Sequence, residues 1–530
     1  MKIALMVDDI IRLESWQFRI VKHILNSPNL NLSLIIENKN GKKQRSNLFF
    51  KMQEKIEKRL FKIKSNQKFD NIISSLILID KITIKPVQNK YFDSFEEEYI
   101  KKISSYNIDL IVKFGFNNLS GDILSVAKLG IWSINFSNYS LDKSYFAGFW
   151  NIVNKTATVK VKLLRHSKEK LELVDCANFN TSWIFTKLRV EIQEGVVPLF
   201  IKNIELLNQN IISYKDFNKQ HISYKAPSTV DTLKYLFMFY FNLFKRLYKR
   251  VDSTISGSRF DCWRLFLGKD NFFEQDFKNI KPLELPKNEF WADPFVCEYK
   301  NENYIFFENY NYTTKLGKIS CGKIADEKIV NVTDVLVKDY HLSYPFIFKE
   351  NSEIFMIPET SENRRLEIYK CVEFPNSWEL YSTAFEGEIL FDTTLYKDND
   401  NQLWLFTNKQ SHPDAPVDSE LYIYKIDSLK LNKIESHKLN PVMINAEVAR
   451  GGGSIFRKND KLYRPSQCNI DGIYGKYLNI NEIIELNLNE YKEKRIKTIK
   501  PDFQPNLISI HHLDQKSGIF VIDAAYRRIK

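Results

Sequence analysis

Asp293, Glu308, Glu359 and Asp392 each open or close a short apolar run in the C-terminal half of the chain, and Arg450 and Arg464 stand at similar places further on. Carboxyl groups held in unlike surroundings acquire unlike pKa values, and two of them across a sugar ring are the minimum for glycosidic-bond chemistry. Guanidinium groups beside them suit an anionic substrate such as a sugar phosphate, a nucleotide diphosphate or an acidic sugar. His341, Tyr344, Gln467, Tyr474 and His511 add groups that hydrogen-bond to a sugar or stack on it.

The element that must position them is written five times. The copies lie at 291–308, 343–359, 391–407, 452–465 and 507–523. Each is a short apolar segment, a turn rich in Asn, Asp, Lys or Gly, and a second apolar segment. Successive copies begin roughly 48–60 residues apart, the spacing of propeller blades. The repeat predicts an all-β five-bladed β-propeller over 261–530. A propeller gathers the first strand of every blade around one axis, so the polar residues opening those strands are expected to meet in one central pocket.

The chain has 530 residues, 44% hydrophobic and 14% aromatic, enough for two or three domains with their own cores. A net charge of +12 favours anionic partners such as nucleotides, lipid headgroups or acidic glycans. With no RNP signature and no Cys/His finger, nucleic acid is not an expected partner. The six cysteines are scattered, with no Cys-x-x-Cys pair. That predicts neither a disulfide framework nor a metal site, and it fits a reducing cytoplasm. The apolar run at the N-terminus is too short for a signal segment and ends in Asp8 and Asp9. No apolar run reaches about 18 residues, so no membrane-spanning helix is expected.

Residues 1–210 alternate between strands (3–7, 32–36, 108–115, 130–135) and helices (16–26, 95–105, 123–128), with a Lys-rich helical insertion over 39–68 and mixed short strands over 69–90. That alternation predicts an α/β domain with a parallel sheet. Ligands of such sheets bind at the carboxyl ends of the strands. Asp8, Asp9, Gly115, Phe116, Asn117 and Asn135 are thereby expected at one crevice, with Asp8 and Asn135 as binding candidates. The stretch from Thr158 alternates as a sheet-edge strand, 183–207 reads as two helices divided near Pro198, and 208–230 reads as a loop.

Residues 211–260 are expected to link the two domains through a helix at 231–250. Its run from Tyr235 to Phe244 is apolar and aromatic and leads into Lys245, Arg246, Lys249 and Arg250. Such a helix suits a membrane interface with a basic flank on anionic headgroups. The alternative is a helix buried between the two halves.

Asp109-Leu-Ile-Val, Gly115, Gly130 and Gly148 resemble the pattern of the formyltransferase family, of which methionyl-tRNA formyltransferase is the best-known member. The resemblance covers about residues 1–210 and implies a Rossmann-like, formyltransferase-type fold. The family's catalytic Asn falls on Ser133, its His on Asn135 and its Asp near Glu169. An Asn amide cannot serve as general base, so the family's chemistry and its folate cofactor are not expected here.

Trp291-Ala-Asp-Pro-Phe, His341-Leu-Ser-Tyr-Pro-Phe, Ile357-Pro-Glu-Thr, Asp392-Thr-Thr-Leu, Ala449-Arg-Gly-Gly-Gly and Tyr463-Arg-Pro-Ser-Gln resemble the propeller module of the glucosamine inositolphosphorylceramide transferase group. More distantly they are similar to five-bladed arabinanase and β-xylosidase glycosidases. The glycosidase likeness implies Asp293 as base, Asp392 as the residue that orients and tunes, and Glu308 or Glu359 as the acid. Each also has a structural alternative: a blade closure for Asp293, an Asx turn for Asp392, a lysine pair for Glu308 and a turn after Pro358 for Glu359. Arg450 precedes three glycines, which let backbone approach a ligand closely.

Proteins that join such a front half to this propeller are similar along the whole chain and imply a surface-polysaccharide pathway. The expected function is a transferase, foremost a glycosyltransferase, in bacterial capsule or lipopolysaccharide synthesis. The propeller pocket would hold the reacting sugar. A nucleotide-sugar donor is the expected co-substrate. A lipid-linked acceptor is the expected partner, on a cytoplasmic chain peripheral to the inner face of the membrane. Two alternatives stand: an N-formyltransferase or other small-substituent transferase on a nucleotide sugar or glycan, and a non-catalytic glycan-binding protein.

Overall fold

The computed structural model describes residues 1–529 apart from 41–45, 64–68, 90–91, 137–143, 218–225, 270–271 and 275–276. Part of the loop expected over 208–230 lies outside the described residues. The chain divides into two compact units, 1–241 with 414–416, and 242–413 with 417–530.

In the first unit an eight-stranded sheet runs in the order Lys215–Asp216, Leu171–Asn180, Thr158–His166, Ile131–Asn135, Leu110–Lys113, Lys2–Val7, Asn31–Asn38, Lys81–Ile84. The strands from Ile131–Asn135 onward pair in parallel. Lys2–Val7 is almost wholly apolar because a parallel sheet is covered on both faces, and Ile3 through Val7 are fully buried. The helix Ser15–Asn26 follows the first strand and Glu97–Ser104 precedes Leu110–Lys113.

Three local expectations are corrected. Asp70–Ile77 is a helix, not a strand; Ile72, Ile73 and Leu76 have helical spacing. Thr158–His166 lies inside the sheet, paired on both sides. Phe185–Asn208 is one helix running through Pro198. A proline inside a helix costs about 3 kcal/mol. Its neighbours Val196, Val197, Leu199 and Phe200 are all buried, and burying side chains of that size returns about 1.5–3 kcal/mol each. Packing therefore outweighs the break.

The second unit is built of strands in five sheets. Four successive sheets span 289–336, 343–384, 389–436 and 456–499, with neighbouring strands in chain order and antiparallel. The fifth joins Leu507–Lys516 and Ile519–Ile529 to Arg259–Lys269, so the unit's first strand closes its last blade. The five repeats of the sequence fall on the first two strands of the five blades. The first strands meet one another. The Phe295 ring lies 5.0 Å from Tyr344 and 4.5 Å from His512, and the Val296 N–H donates to Asp514 Oδ2 at 2.8 Å.

Candidate active site

The first strands of blades one, two and three carry an irregularity at the same place, between Ala292 and Phe295, Ser343 and Phe346, and Phe391 and Thr394. Inside each lies a residue with left-handed backbone: Asp293 at φ 50°, Tyr344 at 45° and Asp392 at 46°. A residue with a Cβ held there costs roughly 1–2 kcal/mol. Bulges re-aim a side chain and favour sites of function. Blade five shifts register between Ile510 and His512. In blade four the corresponding place holds Gly451, Gly452 and Gly453. A Cβ on Gly453, at φ 135°, would stand 1.8 Å from the Leu513 carbonyl oxygen. These glycines thus admit a neighbouring strand, which corrects the expectation that they open backbone to a ligand.

Two lines of charge result. In the first, Asp523 Oδ1 accepts from His511 Nδ1 at 2.6 Å, and His511 Nε2 lies 3.4 Å from Asp293 Oδ1. The Asp293 N–H donates to Asp523 Oδ2 at 2.9 Å. Burial alone would depress the His511 pKa, but the Asp523 and Asp293 carboxylates outweigh it and raise it to about 9. Burial pushes the Asp293 carboxyl up, opposed by His511 and assisted by Asp523 and Glu308. The adjacent His512 is fully buried and burial pushes it down to about 3, so it stays neutral.

In the second line, Asp392 Oδ2 accepts from Arg450 Nε at 2.6 Å and from Gln467 Nε2 at 3.0 Å. Arg450 Nη2 lies 3.7 Å from Glu359 Oε2. Burial, and then the Asp392 charge, push the Glu359 carboxyl up to about 7 against the pull of Arg450. A carboxyl at that value gives and takes protons readily near neutral pH.

Around these lines, Tyr344 accepts from the Gly453 N–H at 3.0 Å. Glu308 Oε1 sits 3.3 Å from His341 Nε2. Burial pulls the His341 pKa down, but the bond to Glu308 leaves it raised. Tyr474 is 41% exposed. Its ring lies 5.1 Å from the Arg450 guanidinium and 5.4 Å from the His511 ring, so one exposed aromatic ring lies against both lines. Trp263 lies 4.0 Å from His511.

The structure brings Asp293, Glu359, Asp392, Arg450, Gln467, Tyr344 and His511 together, with Glu308 and His341 beside them. Arg464 belongs elsewhere. Its guanidinium is taken up by Glu493 at 2.8 and 2.7 Å and by the Val448 and Ala449 carbonyls. It braces the turn that carries Arg450 and is not a substrate ligand. Asp8 is likewise occupied, accepting from the Phe116 N–H and from Asn38 Nδ2, both at 3.0 Å. It ties the ends of three parallel strands together.

Asn135 does end its strand, but the formyltransferase positions do not assemble around it. Ser133 is buried and shares a 2.7 Å hydrogen bond with His166. Pairing of Ile131 with His166 and Asn135 with Lys162 sends the 167–170 turn, and Glu169 in it, to the opposite end of the strand from Asn135.

Asp523, His512 and Trp263 were missed by the sequence reading. Asp523 closes the fifth repeat and was visible as its last polar residue. His512 is next to His511, and strand alternation would turn it away; only the bulge brings it round.

Residues 280–517 match the family described as glucosamine inositolphosphorylceramide transferase 1, N-terminal. The likeness is to the propeller. Glucosamine inositolphosphorylceramide transferase 1 of Oryza sativa subsp. japonica is 32% identical over 214 residues, 39% of this chain and 28% of the rice protein. The protein of that name from Arabidopsis thaliana is 31% identical over 250 residues, 45% of this chain and 32% of its own length. The chain thus spans less than a third of the length of these curated relatives. Among solved structures, the α-L-arabinanase of Cellvibrio cellulosa has a TM-score of 0.32 at 13% identity, over 45% of this chain and 89% of its own. The catalytic domain of Coprinopsis cinerea α-L-arabinofuranosidase has a TM-score of 0.33 at 9% identity, over 50% and 97%.

Proposed function

We propose that the chain is a transferase acting on carbohydrate, foremost a glycosyltransferase, with the reacting sugar held at the propeller axis. The observation that carries this reading is the convergence of Glu359 and Asp392, from different blades, on the Arg450 guanidinium at 3.7 and 2.6 Å, where burial raises the Glu359 carboxyl. An acceptor hydroxyl gives its proton to Glu359. Arg450 and the protonated His511 meet the negative charge on a departing phosphate, as suits a nucleotide-sugar donor. Asp293, facing His511, takes hydrogen bonds from the sugar hydroxyls, and Tyr474 covers a ring face. The transferase names of the matched relatives support the reaction class.

The same proposal reads the front unit as a formyltransferase-type, Rossmann-like domain without that family's catalysis, on the strength of its parallel strand order and the engagement of Ser133. It places the chain in the cytoplasm, in the synthesis of a bacterial surface polysaccharide, on an acceptor carried by lipid. A second reading, a glycan-binding module without turnover, is favoured by one observation: the matched region is described as N-terminal and is under a third of the relatives' length, so the relatives' transfer step need not lie within it.

Asp293→Asn tests the choice. Loss of the in-cell glycan with an unchanged melting temperature supports catalysis, and retained glycan supports the binding module. A melting shift with a nucleotide sugar and none with a folate separates glycosyl from formyl transfer.

A further inference from the structure

The helix Thr229–Ser256 has two apolar faces, and only one is covered. Thr232, Tyr235 and Phe239 are buried. The Tyr235 ring lies 5.7 Å from Phe149 and its hydroxyl donates to Glu57 Oε1 at 2.5 Å; Phe239 lies 5.3 Å from Trp183. On the opposite side Leu233, Phe237, Phe241, Phe244, Leu247 and Val251 are each 51% to 74% exposed. They recur every three or four residues and form a stripe about 120° wide. Deleting the apolar character of Phe239 would therefore disturb the core, whereas Phe237 and Phe241 face outward.

Charge identifies what covers the stripe. The helix carries five Lys or Arg against two Asp, and Lys234, Lys245, Arg246 and Arg250 are exposed. Lys234 and Lys245 flank one edge of the stripe, whereas Arg246 and Arg250 fall on the side of the helix that carries Tyr235 and Phe239. A second copy laid on the stripe in parallel would set Lys234 and Lys245 against their own likenesses. Laid antiparallel, it would bring Lys234 toward Asp252, which Arg528 already holds. An anionic lipid surface accepts both the aromatic stripe and the cations. The helix is about 42 Å long, and among the described residues no helix is long and apolar enough to cross a membrane.

We infer that this face docks the chain flat on an anionic lipid surface. The inference stands whether or not the propeller site is catalytic, because it is read without turnover.

The test is sedimentation of the full chain with phosphatidylcholine vesicles, with and without phosphatidylglycerol, alongside light scattering. The wild type should bind the mixed vesicles at least tenfold more tightly than the neutral ones. Phe237→Ser, Phe241→Ser and Phe244→Ser together should abolish binding with no change in melting temperature. Replacing Lys234 and Lys245 by Gln should weaken binding roughly fivefold per charge. The inference is overturned if wild type ignores both vesicles, if the triple Phe variant binds as before, or if wild type is a dimer that the triple variant converts to a monomer.

Discussion

Asp293 and Asp392 occupy the same place in blades one and three and share one backbone conformation, φ 50° and 46°. Asn tolerates that region better than other residues with a Cβ. Asp392→Asn should therefore keep the strand geometry and acceptors for Arg450 and Gln467, at a cost of about 1–2 kcal/mol. Asp392→Ala keeps the strain and leaves a buried guanidinium without its partner, which costs about 3–5 kcal/mol. Urea unfolding followed by tryptophan fluorescence compares the two, and equal stabilities would refute the account.

The paired lines of charge also make the unit sensitive to alkali. His511 is raised from an ordinary 6.5 to about 9, so the stability it contributes is complete below pH 6.5 and is lost as pH rises to about 9. One unit is worth about 1.4 kcal/mol, so the full loss is roughly 3–4 kcal/mol. Asp293, also raised, acts in the same direction. His511→Gln should flatten the fall in melting temperature between pH 6.5 and 9. An unchanged slope would mean that the imidazole is not held protonated.

Much of this was legible beforehand, for a physical reason. Blade repeats are hydrophobic patterns closed by turn residues, and such patterns survive in sequence. The first two strands of every blade were visible, as were Asp293, Asp392, Arg450 and His511 at their openings. What was illegible depends on contacts between distant segments. Arg464 looks like Arg450 in sequence, and only Glu493 distinguishes it. Asp523 pairs with His511 across a hairpin whose bulge leaves no mark in residue type. Pro198 is a helix breaker whose cost is offset by packing that the sequence does not display.

Arg464 gives a contrasting prediction. Its two bonds to Glu493 and its bonds to the 448–449 carbonyls are interior. Arg464→Ala should lower stability by about 3–5 kcal/mol because it strands Glu493. Arg464→Met with Glu493→Leu should recover most of that loss and retain ligand binding. Failure of ligand binding in the restored double variant would return Arg464 to the site.

The two faces of Thr229–Ser256 differ in the same measurable way. Phe239 is fully buried and Phe237 is 74% exposed. Phe239→Ala should cost about 3–5 kcal/mol, and Phe237→Ala should stay within about 0.5 kcal/mol. Comparable losses at both positions, read by thermal unfolding in the absence of lipid, would mean that the second face is covered within the protein itself.

Glu359 links structure to rate. Its carboxyl is raised from 4.5 to about 7, by burial first and by Asp392 second, with Arg450 opposing. A base with that value is ionised above pH 7 and protonated below it. Turnover that needs Glu359 as base should rise with pH through about 7, and Glu359→Gln should abolish the rise together with the rate. Arg450→Met removes the opposing charge, so the inflection should move upward in pH. Arg450→Lys keeps a cation but loses the fork that spans Asp392 and Glu359, so the shift should be smaller. Carboxyls this close titrate as a pair, and Asp392→Asn, by removing the second charge, should move the inflection downward. Opposite shifts from Arg450→Met and Asp392→Asn are what a shared Asp392–Arg450–Glu359 site requires. An inflection that neither substitution moves would assign the proton to another group.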